Sequence, residues 1–221
     1  QRRNNNNDGE TSVTNDDESR QVYSKKRNVY LIDEHFENKF NEESSSSVAV
    51  IRILGIDPGS INTGYGIIDS QGNHAKHIGS GVIKISGETL ADKLRIIHEG
   101  IVNIIHEYQP AEVSIEKIFM NRNADSAIKL GQARGVAIAA SAIQDLPVYE
   151  YTANQVKQAT VGKGHAAKEQ VQHMIKILLC LDKKPKPDAA DALAIALCHA
   201  NSREGLLRMQ GVAGIRYGRL Q

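Results

Sequence analysis

The order in which apolar periodicities follow one another along this chain leaves few folds open to it. Val48 to Asp57 is a short apolar run that ends in the turn signal Asp57-Pro58-Gly59. Gly59 to Gly64 supplies a loop, Tyr65 to Asp69 a second apolar segment, and Lys76 to Ile85 a third. Segments of this length between turn residues are strands. Tight joins make them an antiparallel meander. A helical stripe follows, with Leu90, Leu94, Ile97, Ile101, Ile104 and Tyr108 at three- and four-residue spacing, until Pro110 stops it. Val113 to Phe119 is a fourth strand, Ala124 to Gln144 a helix rich in small residues, and Pro147 to Tyr151 a fifth strand. Helices over Asn154 to Thr160, Ala166 to Leu181 and Asp188 to about Ala200 complete the pattern. A crossover helix after the meander sets the fourth strand parallel to the first. The expected product is an α/β unit with a five-stranded mixed sheet, order 3-2-1-4-5, strand 2 antiparallel, and helices on both faces.

The 221 residues suit one ordinary domain with tails. Residues 1–48 hold 7 Lys/Arg against 10 Asp/Glu and little apolar content beyond Val29-Tyr30-Leu31-Ile32. Too little burial is on offer there to offset chain entropy, so this leader is expected to be disordered or extraneous. The folded domain is expected over 49–200, with an Arg- and Gly-rich basic tail over 201–221. Residues 49–221 hold 20 basic and 16 acidic side chains, a mildly positive balance that tolerates a polyanionic partner. Cys180 and Cys198 lie 18 positions apart in apolar helical stretches. That is neither a zinc spacing nor a disulfide framework; buried free thiols and a reducing compartment are expected. No apolar run approaches the roughly 20 residues of a membrane span, and no signal-peptide core opens the chain. The cytoplasm, at the nucleoid, is the expected location, and no membrane partner is expected.

Four carboxylates interrupt apolar segments. Asp57 ends Ile53-Leu54-Gly55-Ile56, Glu116 sits inside Val113 to Phe119, and Asp188 and Asp191 open the stretch that runs through Leu197. A lone carboxylate in such a setting is costly unless paired, protonated or bound to metal. Taken singly, each has an ordinary role: Asp57 capping a turn, Glu116 pairing with a lysine, Asp188 capping a helix, Asp191 on a helix surface. Taken together, the topology brings them to one place. Asp57 and Glu116 fall at the carboxyl ends of adjacent parallel strands, where ligands gather in such sheets. Asp188 and Asp191, three apart, share one face of a helix first turn, where the dipole favours negative charge. All-oxygen ligation suits Mg²⁺, or Mn²⁺ in its place. Two such ions about 3.5–4 Å apart clamp the attacking and leaving oxygens of an in-line phosphoryl displacement.

With these residues in view the chain resembles the RuvC family of Holliday-junction endodeoxyribonucleases, in its Gram-negative bacterial form. The resemblance is carried by Ile53-Leu54-Gly55-Ile56-Asp57-Pro58-Gly59-Ser60, Thr63-Gly64-Tyr65-Gly66, Ile115-Glu116 through Phe119-Met120, and Asn123 to Ala127 with Lys129 to Val136. It continues through Gln155-Val156-Lys157-Gln158, Lys168 with Gln170 to Met174, and Asp188 to Ala194. It covers roughly residues 50–200. The resemblance implies a ribonuclease H-like fold and a homodimeric Mg²⁺-dependent endonuclease with two ions per subunit. Such an enzyme nicks two opposed strands of a four-way junction and leaves ligatable 5′-phosphate ends. It also implies work beside the RuvA–RuvB branch-migration complex in recombination and repair. Asp57, Glu116, Asp188 and Asp191 match the family's catalytic acids. Phe119 matches an aromatic that contacts bases near the crossover, and Lys157 and Lys168 match DNA-binding lysines.

The residues agree with those roles. Phe119 follows the Glu116 strand and an exposed ring there stacks on an unpaired base, worth about 1–3 kcal/mol; a buried core ring is the alternative. Lys157, Lys163 and Lys168 flank one loop and suit phosphate contacts, or simply a solvated basic loop. Small residues on the helix 124–144 fit close packing, either on a twofold mate or within the subunit. His165 is given no catalytic role. Three rivals stand beside this reading: another ribonuclease H-like nuclease, a non-catalytic junction-binding protein, and an actin-like ATPase. The last lacks a second Asp-x-Gly phosphate loop, and Gly162-Lys163-Gly164 does not meet the P-loop pattern.

Overall fold

The run Ile53-Leu54-Gly55-Ile56 becomes the middle of the central strand, with Ile53, Leu54 and Ile56 at most 1% exposed. The computed structural model describes residues 49–118, 124–164 and 166–212; the leader with Val29 to Ile32, and also Phe119 and His165, lie outside the described residues. Strand β1 (Ile51–Asp57) pairs antiparallel with β2 (Asn62–Gln71), which pairs antiparallel with β3 (His74–Lys84). On its other side β1 pairs in parallel with β4 (Glu112–Glu116), and β4 in parallel with β5 (Val148–Tyr151). The sheet order is β3-β2-β1-β4-β5, as the element order predicts.

Being covered on both faces, β1 reads as continuous apolar sequence rather than alternation. Its side chains still alternate between two cores. Leu54 and Ile56 enter the core under helices α1 (Leu90–Tyr108) and α2 (Ala124–Ile143). Ile53 enters the core under α3 (Ala153–Val161), α4 (Lys168–Leu178) and α5 (Pro187–Val212). Ile67 and Ile68 of β2 divide the same way. A one-residue slip would exchange the two sets.

Local chemistry sets the helix ends. Thr89 caps α1, taking the amide of Asp92, while the Asp92 carboxylate reaches back to the Thr89 amide. Gln109, in the left-handed region at φ 49°, closes the helix. The predicted stripe buries Ile97, Ile101 and Ile104, joined by Ile105, whereas Leu90 at the first turn is 49% exposed.

Two expectations need correction. Cys180 is exposed, since α4 stops at Leu178 and Cys180 takes a left-handed φ of 49° just beyond it. Only Cys198 is a buried thiol, and burial pushes its pKa up to about 11. The last helix runs to Val212 rather than stopping near Ala200. Beyond Ala200 it keeps a hold on the sheet through Arg203, whose Nε donates to Glu112 of β4 at 3.3 Å, while Ser202 Oγ donates back to the Cys198 carbonyl within the helix.

The small residues of α2 divide between two faces. Ala133, Ala137 and Ala140 are buried against the α1 core. Among the described residues, nothing lies near enough to touch a Cβ built at Gly131 or Gly135.

Candidate active site

The register of β1 and β4 pairs Ile56 with Ile115, so Asp57 and Glu116 are the next residues in line on neighbouring parallel strands. Both stand at the carboxyl edge of the sheet. The start of α5 is brought to that edge by a missing side chain. Gly64 is the cross-strand partner of Asp57, and a Cβ on Gly64 would overlap the Asp188 carbonyl. Gly55 plays the same part farther down, where a Cβ would overlap the Ala192 carbonyl. Helix α5 therefore lies directly on the β1–β2 backbone, with its first turn over Asp57. Close approach of this kind needs glycine on the strand and alanine on the helix.

The helix begins at Pro187, one residue earlier than expected. Proline suits a first helical position because the amide it lacks has no partner there. Asp188 is thus inside the helix rather than its cap. Its Oδ2 accepts a hydrogen bond from Asn62 Nδ2 at 3.2 Å, across 126 residues of sequence.

Electrostatics tie the four acids together. The Asp57 carboxyl is pushed up to about 8, first by burial, then by the charges of Asp191 and Glu116, with Asp188 adding and Lys168 opposing. Glu116 is raised by burial and by Asp191, against the pull of Lys168 and Lys157. Lys168 Nζ lies 3.2 Å from Asp191 Oδ2, and Asp191 holds the Lys168 ammonium above its ordinary range. Among the described residues no three His, Cys, Asp or Glu side chains are already closed around a common point. The acids share one field without forming a finished cage.

A divalent cation fits this donor set. The ligands are hard oxygens, negative charge is in excess, and the Asp57 carboxyl is pushed up to about 8 by burial first and then by the neighbouring acids, a shift that a bound cation would oppose.

Of the predicted contact residues, Lys157 is half-buried and near enough to lower the Glu116 pKa. Lys168 is at the acidic centre itself. Lys163 is exposed, one residue past Gly162, which closes α3 at φ 74°. Phe119 lies outside the described residues, just past the β4 end.

Two residues escaped the sequence reading. Asn62 orients Asp188, as described. Arg134 donates from Nε to the Glu116 carbonyl at 3.0 Å and pairs with Glu150 of β5 at 2.6 Å, fixing the end of β4. Its signal is faint but present: Arg134 is the single charged residue between Leu130 and Gln144.

A 3-2-1-4-5 mixed sheet, with acids at the ends of β1 and β4 and on the first turn of the final helix, defines the ribonuclease H-like class. Comparisons narrow the class. A family profile described as "Crossover junction endodeoxyribonuclease RuvC" matches residues 53–199. A protein of that name from Hahella chejuensis is 52% identical over 172 residues, covering 78% of this chain and all of its own length. One from Shewanella sp. strain W3-18-1 is 55% identical over 168 residues, covering 76% and 97%. The structure titled "T. thermophilus RuvC in complex with Holliday junction substrate" superimposes with a TM-score of 0.65 at 38% identity, covering 70% of this chain and 96% of that one. The yeast mitochondrial Holliday junction resolvase Ydc2, at 13% identity and a TM-score of 0.51, shares the fold. The chain belongs to the RuvC family of crossover junction endodeoxyribonucleases.

Proposed function

We propose that this chain resolves Holliday junctions by paired, symmetric nicks in opposed strands, hydrolysing DNA phosphodiesters to 5′-phosphate and 3′-hydroxyl ends. The observation that carries the reading is the seating of α5 on Gly64, which places Asp188 and Asp191 in one field with Asp57 and Glu116. These four residues would hold the divalent cations, Mg²⁺ with Mn²⁺ as a substitute, two per subunit. Bound there, the ions supply an activated water and charge neutralisation at the phosphate. The protein's own groups do the rest. Asn62 holds the Asp188 carboxylate in place, Arg134 holds the end of β4, and Lys168 presents a cation at the rim of the acids. Lys157, Lys163 and Lys168 grip backbone phosphates, and Phe119 stacks on a base at the crossover.

The catalytic unit begins at residue 49, after the leader 1–48, and includes α5 through Val212. The enzyme acts as a homodimer, because a four-way junction offers two equivalent strands to a twofold assembly. The RuvA–RuvB complex is its working partner, and the cytoplasmic nucleoid its location. No helix among the described residues is long and apolar enough to cross a membrane.

The test is incubation of the purified chain with a synthetic four-way junction, a linear duplex and a nicked duplex, each with and without Mg²⁺. Paired nicks in the junction alone, only with metal, are expected. Asp57→Asn should still bind the junction and no longer cut it. Equal cutting of linear duplex, or cutting by Asp57→Asn, would refute the assignment.

A further inference from the structure

Helix α5 carries Asp188 and Asp191 at its start, and about two turns beyond Asp191 it carries His199. His199 is 2% exposed, yet both ring nitrogens have side-chain partners. Nε2 lies 2.6 Å from Glu112 Oε2, and Nδ1 lies 2.7 Å from the Tyr151 hydroxyl. The Tyr149 ring stacks on the imidazole at a centroid distance of 4.3 Å. Glu112 also accepts from Arg203, one turn farther along α5. Burial alone would raise the Glu112 pKa, but the hydrogen bond and charge of His199 and the charge of Arg203 outweigh it and hold the carboxyl low.

The place of this cluster gives it meaning. Glu112 is the first residue of β4 and Glu116 the last. The α5 backbone meets Gly64 at Asp188 and Gly55 at Ala192, and the His199 side chain meets that of Glu112, so the helix runs antiparallel to β1 and β4. Each of the two elements thus bears a catalytic acid at the carboxyl edge and one half of a polar pair at the opposite edge.

Between these ends the contact is apolar and close. Ala192 and Ala196 lie on Gly55, and the Leu193 side chain seats on Gly66. Directional hydrogen bonds add a stricter constraint on the axial position of the helix. A buried ionisable pair is a poor source of net stability compared with apolar packing, and register-setting is its best-attested use.

We propose that the Glu112–His199 pair is a positioning device for the acidic centre. It sets the axial register of α5 on β4, and with it the spacing of Asp188 and Asp191 from Glu116. Tyr151 and Arg203 hold the two halves in orientation. This inference rests on the four-acid reading of the active site.

The test uses the full chain with Mn²⁺ as probe and no DNA, followed by electron paramagnetic resonance well below the melting temperature. Glu112→Gln keeps the volume and removes the charge. It is expected to weaken Mn²⁺ binding between about threefold and tenfold and to lower kcat on a four-way junction with KM nearly unchanged. His199→Gln should do the same, and the two together should cost no more than the larger single effect. Tyr151→Phe removes one hydroxyl and should move both readings the same way by less; if Glu112→Gln does not fold, this variant decides alone. Unchanged Mn²⁺ affinity and kcat in the folded variants, with only the melting temperature lowered, would overturn the proposal. Glu116→Gln separates the two readings. If it abolishes Mn²⁺ binding while Glu112→Gln leaves it intact, positioning has failed. If Glu116→Gln also leaves it intact, the four-acid site has failed.

Discussion

Lys168 and Asp191, 23 residues apart in sequence, meet at 3.2 Å on the rim of the acidic centre. The lysine side chain is 71% exposed and the aspartate 22%. The ammonium therefore offsets part of the negative field that a metal ion would otherwise meet, while remaining free to swing toward a phosphate.

Lys168→Ala should separate these roles. An exposed pair contributes less than about 1 kcal/mol to stability, so the melting temperature should scarcely move. Mg²⁺ binding to the DNA-free protein should tighten, because the competing charge is gone, while junction binding should weaken. Calorimetric titration with Mg²⁺ and a gel-shift titration with the junction read the two effects; weaker Mg²⁺ binding would contradict the account.

The Asp57 carboxyl predicts an unusual stability profile for the metal-free protein. Its pKa rises from 3.8 to about 8 on folding. The folded state then holds a proton that the unfolded state has released, so stability is fully present below the lower value and declines as pH rises through the upper one. The slope for one proton is at most about 1.4 kcal/mol per pH unit. Melting curves in chelator should fall across this window and flatten in Asp57→Asn. Added Mg²⁺ should raise the melting temperature most at the alkaline end.

Gly64→Ala should be severe although it adds one methyl. The Cβ would overlap the Asp188 carbonyl, so the first turn of α5 must lift from Asp57. A cost of about 1–3 kcal/mol is expected from overpacking, with cutting impaired beyond what the fraction folded explains. Denaturant melts and single-turnover cleavage well below the melting point check both halves.

Helix α2 provides the complementary case. Ile128, Gly131 and Gly135 fall on one face at three- and four-residue spacing. Ile128 is 59% exposed, and a Cβ at either glycine meets no atom among the described residues. Gly135→Leu should leave the subunit fold and its circular dichroism intact, yet shift the proposed homodimer to monomer in sedimentation. A dimer of parental strength would place the twofold contact elsewhere.

Much of the sheet is readable in the chain. Ile53-Leu54-Gly55-Ile56 is apolar without alternation because a central strand is covered twice, and the turn and helix punctuation after it dictates the parallel return of β4. The helix ends were less legible. The alanine-rich run of α5 stops being apolar near Ala200, but the helix continues, with Arg203 finding a partner in Glu112 of β4. Cys180 sits in an apolar stretch and is nonetheless exposed, since the backbone leaves the helix there.

The acids announce themselves in sequence because a charge within an apolar run demands a reason, and the reason is local enough to see. Arg134 gives only a faint signal, and Asn62 and His199 announce nothing, because each is explained only by a partner far away in the chain. The chain alone therefore determined the sheet order, and it singled out the four carboxylates proposed to hold the cations. The tertiary structure decided that glycine on β2 lets α5 settle over Asp57, that Lys168 rather than solvent faces Asp191, and that a polar pair at the far edge holds the helix in register. Burial and periodicity are written along the sequence; contact between distant residues exists only once the backbone has closed.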